Sequence, residues 1–180
     1  MDSKDFLIEL AETFVVSLVI LLLIYGFLAF PEIVSGASME PLLHDKERIL
    51  VEKVLKNFQD FERGEVVVFH PPEDDHIDYV KRVIGVPGDL VKISDCKVFI
   101  TRDGNRFTLE EPYLYAEKCT TGGPGFPEGR SQKLSEDSYL VLGDNRDHSA
   151  DSRVFGVIDK ERIVGKVVFR FWPPAKIGFL

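Results

Sequence analysis

The spacing of apolar residues divides the chain in two. Seventeen uncharged residues, FVVSLVILLLIYGFLAF, run from Phe14 to Phe30 and stop at Pro31. As a helix, that run covers about 25 Å, near the lower limit for crossing a bilayer, and Ala11, Thr13 and Ile33 extend it. Apolar side chains on every face argue against an amphipathic core helix. A removed signal peptide would have a basic start and an apolar core of about 7–15 residues. Here MDSKDFLIELAE sets Lys4 against Asp2, Asp5, Glu9 and Glu12. The sign of that segment and the length of the run favour a retained anchor over residues 1–34. Neither flank is rich in Lys or Arg, so charge does not set its orientation.

From residue 35 to 180 the pattern becomes short β-type runs between turns. GEVVVFHPP predicts a strand at about 65–69, and DYVKRVIGVPGD one at about 78–84, ended by Gly85, Pro87, Gly88 and Asp89. LVKI, KVFITR and RFTL follow, the last two joined by the turn pair Asp103-Gly104. YLVLGD and RIVGKVVFRFWP add two more strands. Residues 113–135 have no clear period and many breakers, which predicts a loop excursion. No long amphipathic helix is visible, so the second part is expected to be mainly β, a barrel or folded sheet.

Composition narrows the function classes. The 180 residues, 44% hydrophobic and 29% charged, suit one ordinary folded domain. A net charge of −8 argues against a nucleic-acid partner, which needs clustered Lys and Arg. Gly122-Gly123-Pro124-Gly125 lacks the Lys-Ser/Thr of a phosphate loop. His70 and His76 sit in an acidic, Pro-rich stretch that reads as a solvated loop, so neither a metal nor another cofactor is expected. Cys96 and Cys119 are compatible with one disulfide or with two free thiols.

Three short stretches carry candidate chemistry. In SGASMEP (residues 35–41), the small residues Ser35, Gly36 and Ala37 before Ser38 look like a signal-peptide cleavage site. Ser38 could equally be a nucleophile. A serine can be activated without histidine if a neighbouring lysine is neutral, which requires burial or a nearby positive charge. In a strand Tyr79, Lys81 and Val83 share one face, placing Lys81 among apolar neighbours, although a strand lysine is more often a solvent residue. GDNRDHSADSR (143–153) reads either as a solvated turn or as a hydrogen-bonded floor, with Asp–Arg pairs fixing the loop and a serine orienting the amine.

SxxSMxP at 35–41, YVKRVIGVPGD at 79–89 and GDNRDHSADSR at 143–153 together resemble the bacterial type I signal peptidases, the membrane-bound leader peptidase family. GEVVVF at 64–69 resembles a fourth block of that family. The motifs follow the family's order and the resemblance covers nearly the whole chain. It implies a Ser–Lys endopeptidase with a mostly antiparallel β catalytic domain. Such an enzyme removes signal peptides from exported preproteins on the outer side of the cytoplasmic membrane, after an Ala-x-Ala site. Ser38 resembles the nucleophile, Lys81 the general base and Ser149 the serine that holds the lysine amine. Asp151 and Arg153 resemble a structural ion pair, and Asp144 and Arg146 belong to the same supporting block. Val34, Met39, Leu43, Tyr79 and Val80 fall where the family lines pockets for small side chains.

The Ser38 N–H can serve the oxyanion. Gly36 stands where one branch of the family has a hydroxyl donor, so the second donor is left open, with Gly36 shaping the hole. The C-terminal FRFWPPAKIGFL fits either core packing or a lipid-facing surface. A self-cleaving repressor-type peptidase shares the Ser–Lys chemistry, but the anchor and the lack of a DNA-binding module count against it. A catalytically silent membrane-tethered β-domain that binds exported segments is countered by Ser38, Lys81 and Ser149 standing together.

Overall fold

In the computed structural model, residues 3–23, 28–54, 58–115 and 118–180 are described. Met1 and Asp2, residues 24–27 of the apolar run and residues 116–117 of the expected loop excursion lie outside them. A helix, α1 (Ser3–Leu23), precedes nine strands: β1 (Ala29–Ile33), β2 (Arg48–Glu52), β3 (Val66–Phe69), β4 (Tyr79–Gly85), β5 (Leu90–Ser94), β6 (Lys97–Arg102), β7 (Asn105–Thr108), β8 (Ser131–Lys133) and β9 (Ser138–Leu142). A one-turn helix, α2 (Ser152–Phe155), is followed by β10 (Ile158–Asp159), β11 (Ile163–Trp172) and β12 (Gly178–Phe179).

Lys4–Leu23 of α1 is long and apolar enough to cross a membrane, with a mean hydropathy of 2.4 and no part buried against the protein. The apolar run does not form one helix, however. Its last residues, Ala29 and Phe30, belong to β1, which pairs with β2. An uninterrupted apolar run cannot separate helix from strand by period. Pro31, which lacks an N–H, is tolerated because β1 is an edge strand. The sheet therefore begins within the segment expected as anchor.

The strands form two antiparallel sheets. The larger runs β1-β2-β11-β3-β4-β9-β10, with β12 beside β11; the smaller runs β7-β6-β5-β8. Alternation assigns each face. Val67 and Phe69 of β3 join Val83 of β4 and Tyr139 and Val141 of β9 in one core cluster. Val66 and Val68 face the other way, against Val34, Met39, Leu43, Ile49, Val51 and Val167. Ile84, Leu140 and Leu142 pack against Val91, Ile93, Val98 and Ile100, which closes the small sheet onto the large one. Burial on both faces explains why VVVF reads as a continuous apolar run. Among its described residues the segment 109–130 has no strand, although β8 falls inside the stretch expected to be loop.

Cys96 and Cys119 form a disulfide across 23 positions, tying that segment to the β5–β6 turn. Such a bridge restricts the unfolded chain and contributes on the order of 2–4 kcal/mol. Replacing both cysteines by serine should lower stability by about that amount in denaturant titrations. An unchanged midpoint would show that the bridge adds nothing.

Candidate active site

Lys81 leaves the middle of β4 opposite Val67 of β3 and is only 4% exposed. Its Nζ lies 2.9 Å from Ser38 Oγ and donates to the Val80 carbonyl at 2.9 Å. Burial moves the Lys81 pKa from its ordinary 10.5 down to about 8, against the opposing charges of Asp151 and Asp144. That change corresponds to roughly 3 kcal/mol of disfavoured ammonium.

Ser38 sits in a turn anchored on both sides. Leu43 N–H donates to Met39 O at 2.9 Å, while buried Met39 and Leu43 root the turn in the core. Before the serine, Val34 N–H donates to Glu47 O at 2.9 Å and Lys46 N–H to Val34 O at 2.8 Å. Gly36 adopts a φ of +90°, which glycine accepts at no steric cost, and its N–H donates to Asp45 Oδ1 at 2.9 Å. That bond occupies the Gly36 N–H. The Ser38 N–H makes no hydrogen bond among the described residues.

The 143–153 block lies directly behind this turn. Asn145 N–H donates to Ser38 O at 2.9 Å, and Asn145 Nδ2 to Ala37 O at 3.1 Å. Arg153 grips Asp151 with Nε and Nη2, both at 2.8 Å, and Gly143 N–H adds a bond at 3.0 Å. Burial alone would raise the Asp151 carboxyl; the hydrogen bonds and charge of Arg153, with the Gly143 N–H, hold it below its ordinary value. Asp144 pairs not within its own block but with Arg82, at 2.8 and 2.6 Å. Burial keeps Asp144 above its ordinary value in spite of Arg82. Arg146 donates from Nε to Gly143 O at 3.0 Å.

Gly143 is the junction of these parts. A Cβ there would come within 2.3 Å of Ser149 Oγ and 2.5 Å of Ser38 O, so only glycine fits. Ser149 Oγ is buried and makes no well-formed hydrogen bond among the described residues, although it is near enough to Asp151 to favour that carboxylate. The bond expected between Ser149 and Lys81 does not appear among the described residues, where the amine meets Ser38 and Val80.

An open groove of about 600 Å³ runs over Ser38, lined by Ile33, Gly36 and Met39 on one side and Ile77, Tyr79 and Val80 on the other. Val34 also lines it, whereas Leu43 is fully buried beneath, in the cluster that supports Val34 and Met39. Sequence reasoning did not single out Gly143, Asn145, Asp45 or Arg82. Asn145 and Gly143 lay inside a block already marked, but their roles depend on the approach of Ala37 across 108 positions.

The structure thus brings a serine hydroxyl beside a buried amine on the floor of a groove in a β-rich protein, an arrangement that could serve a serine hydrolase. The chain belongs to the signal peptidase family: the profile described as "Signal peptidase, peptidase S26" matches residues 7–172. It is 41% identical over 181 residues to signal peptidase IB of Staphylococcus aureus, covering 94% of this chain and 92% of that protein. It is 36% identical over 178 residues to the probable signal peptidase I-2 of Synechocystis sp., covering 96% and 77%. A crystal structure of a signal peptidase I from Enterococcus faecalis aligns with a TM-score of 0.48 and 26% identity, over 60% of this chain and 97% of that one. The chain is thus a serine endopeptidase of the class that cleaves signal peptides.

Gly143→Ala should displace Ser38 relative to Lys81. A shift of that kind costs on the order of a hundredfold in turnover. Wild-type kcat in a folded Gly143→Ala enzyme would show that the close approach is not needed.

Proposed function

We propose that Ser38 is the nucleophile and Lys81 the general base of a membrane-tethered signal peptidase that cleaves exported preproteins after a small-x-small sequence. The 2.9 Å approach of the buried Lys81 amine to Ser38 Oγ carries this reading. Neutral Lys81 takes the hydroxyl proton as Ser38 attacks the scissile carbonyl, and the protonated amine then assists the departing amine. Water deprotonated by the same lysine releases the signal peptide from the acyl-enzyme. The free Ser38 N–H serves the oxyanion. Ser149, whose buried Oγ lies against Gly143, is assigned as a further acceptor for the lysine ammonium. The geometry of Asp144, Arg146, Asp151 and Arg153 supports a role in holding the floor of the site.

The substrate is read as an extended strand. Tyr79–Lys81 of β4 pair with β3 on one side only, since β9 begins pairing at Arg82. β1 is likewise an edge strand. A peptide between residues 33–36 and 78–81 would add backbone hydrogen bonds to open edges. Val34, Met39 and Val80, with Tyr79 beside them, would receive the small side chains, and Leu43 would support that floor from below. We place α1 in the phospholipid membrane and the β-rich portion on the outer side, a reading that the Cys96–Cys119 disulfide favours because such bonds persist in oxidising compartments.

The test is cleavage of a preprotein carrying an Ala-x-Ala site by detergent-solubilised enzyme. Wild type should be active, and Ser38→Ala and Lys81→Met inactive. Replacement of His44 or His148 should leave activity in place. The base must be neutral, so activity should rise with pH through an apparent pKa of about 8 and be lost below it. Normal turnover in Lys81→Met, or a rate independent of pH across that range, would sink the proposal.

A further inference from the structure

The segment between β7 and β8 has little regular structure, yet it is pinned to the floor of the site. Arg146 has a fully buried side chain, and its guanidinium fork reaches this segment. Nη1 donates to Glu111 Oε2 at 3.3 Å, Nη2 donates to Glu111 Oε1, and Thr120 Oγ1 accepts a further bond. Glu111 is the only carboxylate in ion-pair contact with Arg146 among the described residues. Its Oε1 also accepts from Tyr113 Oη at 2.8 Å, and the Tyr113 ring lies 4.0 Å from the guanidinium of Arg82, the partner of Asp144. The far end of the segment is tied down by the Cys96–Cys119 bridge and by Thr120 N–H donating to Cys96 O at 3.2 Å.

We propose that Glu111 is a positioning residue for the peptidase reaction, acting through Arg146 on Gly143, the glycine wedged between Ser38 and Ser149. This rests on the reading of Ser38 as nucleophile. Glu111 touches no reacting atom. It neutralises a cation that has no access to water, and a buried charge without its partner is strongly disfavoured. Without the carboxylate, Arg146 turns toward solvent and releases the Gly143 carbonyl. Gly143 then remains held by its N–H to Asp151 alone. Because Gly143 abuts Ser38 O and Asn145 N–H bonds that same oxygen, the Ser38–Lys81 spacing loosens. Glu111 does not line the groove, so substrate binding is untouched and the loss falls on the chemical step.

The experiment measures kcat and KM of the full-length enzyme in detergent on an Ala-x-Ala preprotein. It compares wild type with Glu111→Gln, Glu111→Asp, Arg146→Met, the Glu111→Gln/Arg146→Met double variant and Ser38→Ala. Glu110→Gln, at an exposed neighbour, serves as control. Glu111→Gln should lower kcat about tenfold or more while KM stays within about twofold, the signature of an interaction used in the transition state. Glu111→Asp should recover part of the rate. The double variant should be no worse than Arg146→Met alone, since one residue acts through the other. Full kcat in folded Glu111→Gln, a rise in KM instead, or additive losses would overturn the proposal. If Glu111→Gln does not fold, the same kcat and KM comparison on Glu111→Asp decides. Wild-type turnover in Ser38→Ala would remove the peptidase reading and this proposal with it. Loss confined to Ser38→Ala would overturn the positioning role alone.

Discussion

The structure depends on one unfavourable placement, a lysine amine held out of water beside a serine hydroxyl. Lys81 is 4% exposed and sits among apolar strands, which disfavours its ammonium form. No positive partner is needed, because burial alone exceeds the pull of Asp144 and Asp151. The cost is retained in the native state because the strands on either side are fixed by cores that Lys81 does not disturb. Val66 and Val68 lie in one cluster and Val83 in another. Functional sites commonly hold such disfavoured groups at the expense of stability.

The two carboxylates near the amine are the chief threat to its neutrality, and each has its own arginine. Arg82 takes Asp144 in a two-pronged contact, and Arg153 takes Asp151 in another. Planar guanidinium–carboxylate pairs of this kind combine charge balance with fixed orientation. Asp151 also accepts from the Gly143 N–H, and Asp144 lies between Gly143 and Asn145, the two residues that meet the back of the Ser38 turn. The electrostatics and the geometry of the site therefore share one set of side chains. In the proposed reaction, a change that frees one of these carboxylates would both restore charge to Lys81 and move Ser38.

Much of this was legible in the chain. The runs at 66–69, 79–85 and 97–102 have the turn signals and β-branched content of strands, and they form strands. Ser38, Lys81 and the 143–153 block could be named because short motifs survive in linear order. What stayed hidden depends on distant contacts. β1 was absorbed into an apolar run whose period carried no information, and β2 and β8 are short strands defined by their neighbours. The partner of Asp144 is Arg82, 62 positions away, rather than the nearer Arg146. Arg146 instead reaches Glu111, 35 positions away in a stretch without period. Pairings of that kind follow from the closed sheets and cannot be read from local pattern.

The most direct measurement is an NMR titration of the Lys81 side-chain nitrogen in the detergent-solubilised enzyme. A buried amine poised to accept the Ser38 proton should titrate with a midpoint of about 8. A midpoint at the ordinary lysine value of 10.5 would leave the amine charged at working pH and contradict the proposed role as base.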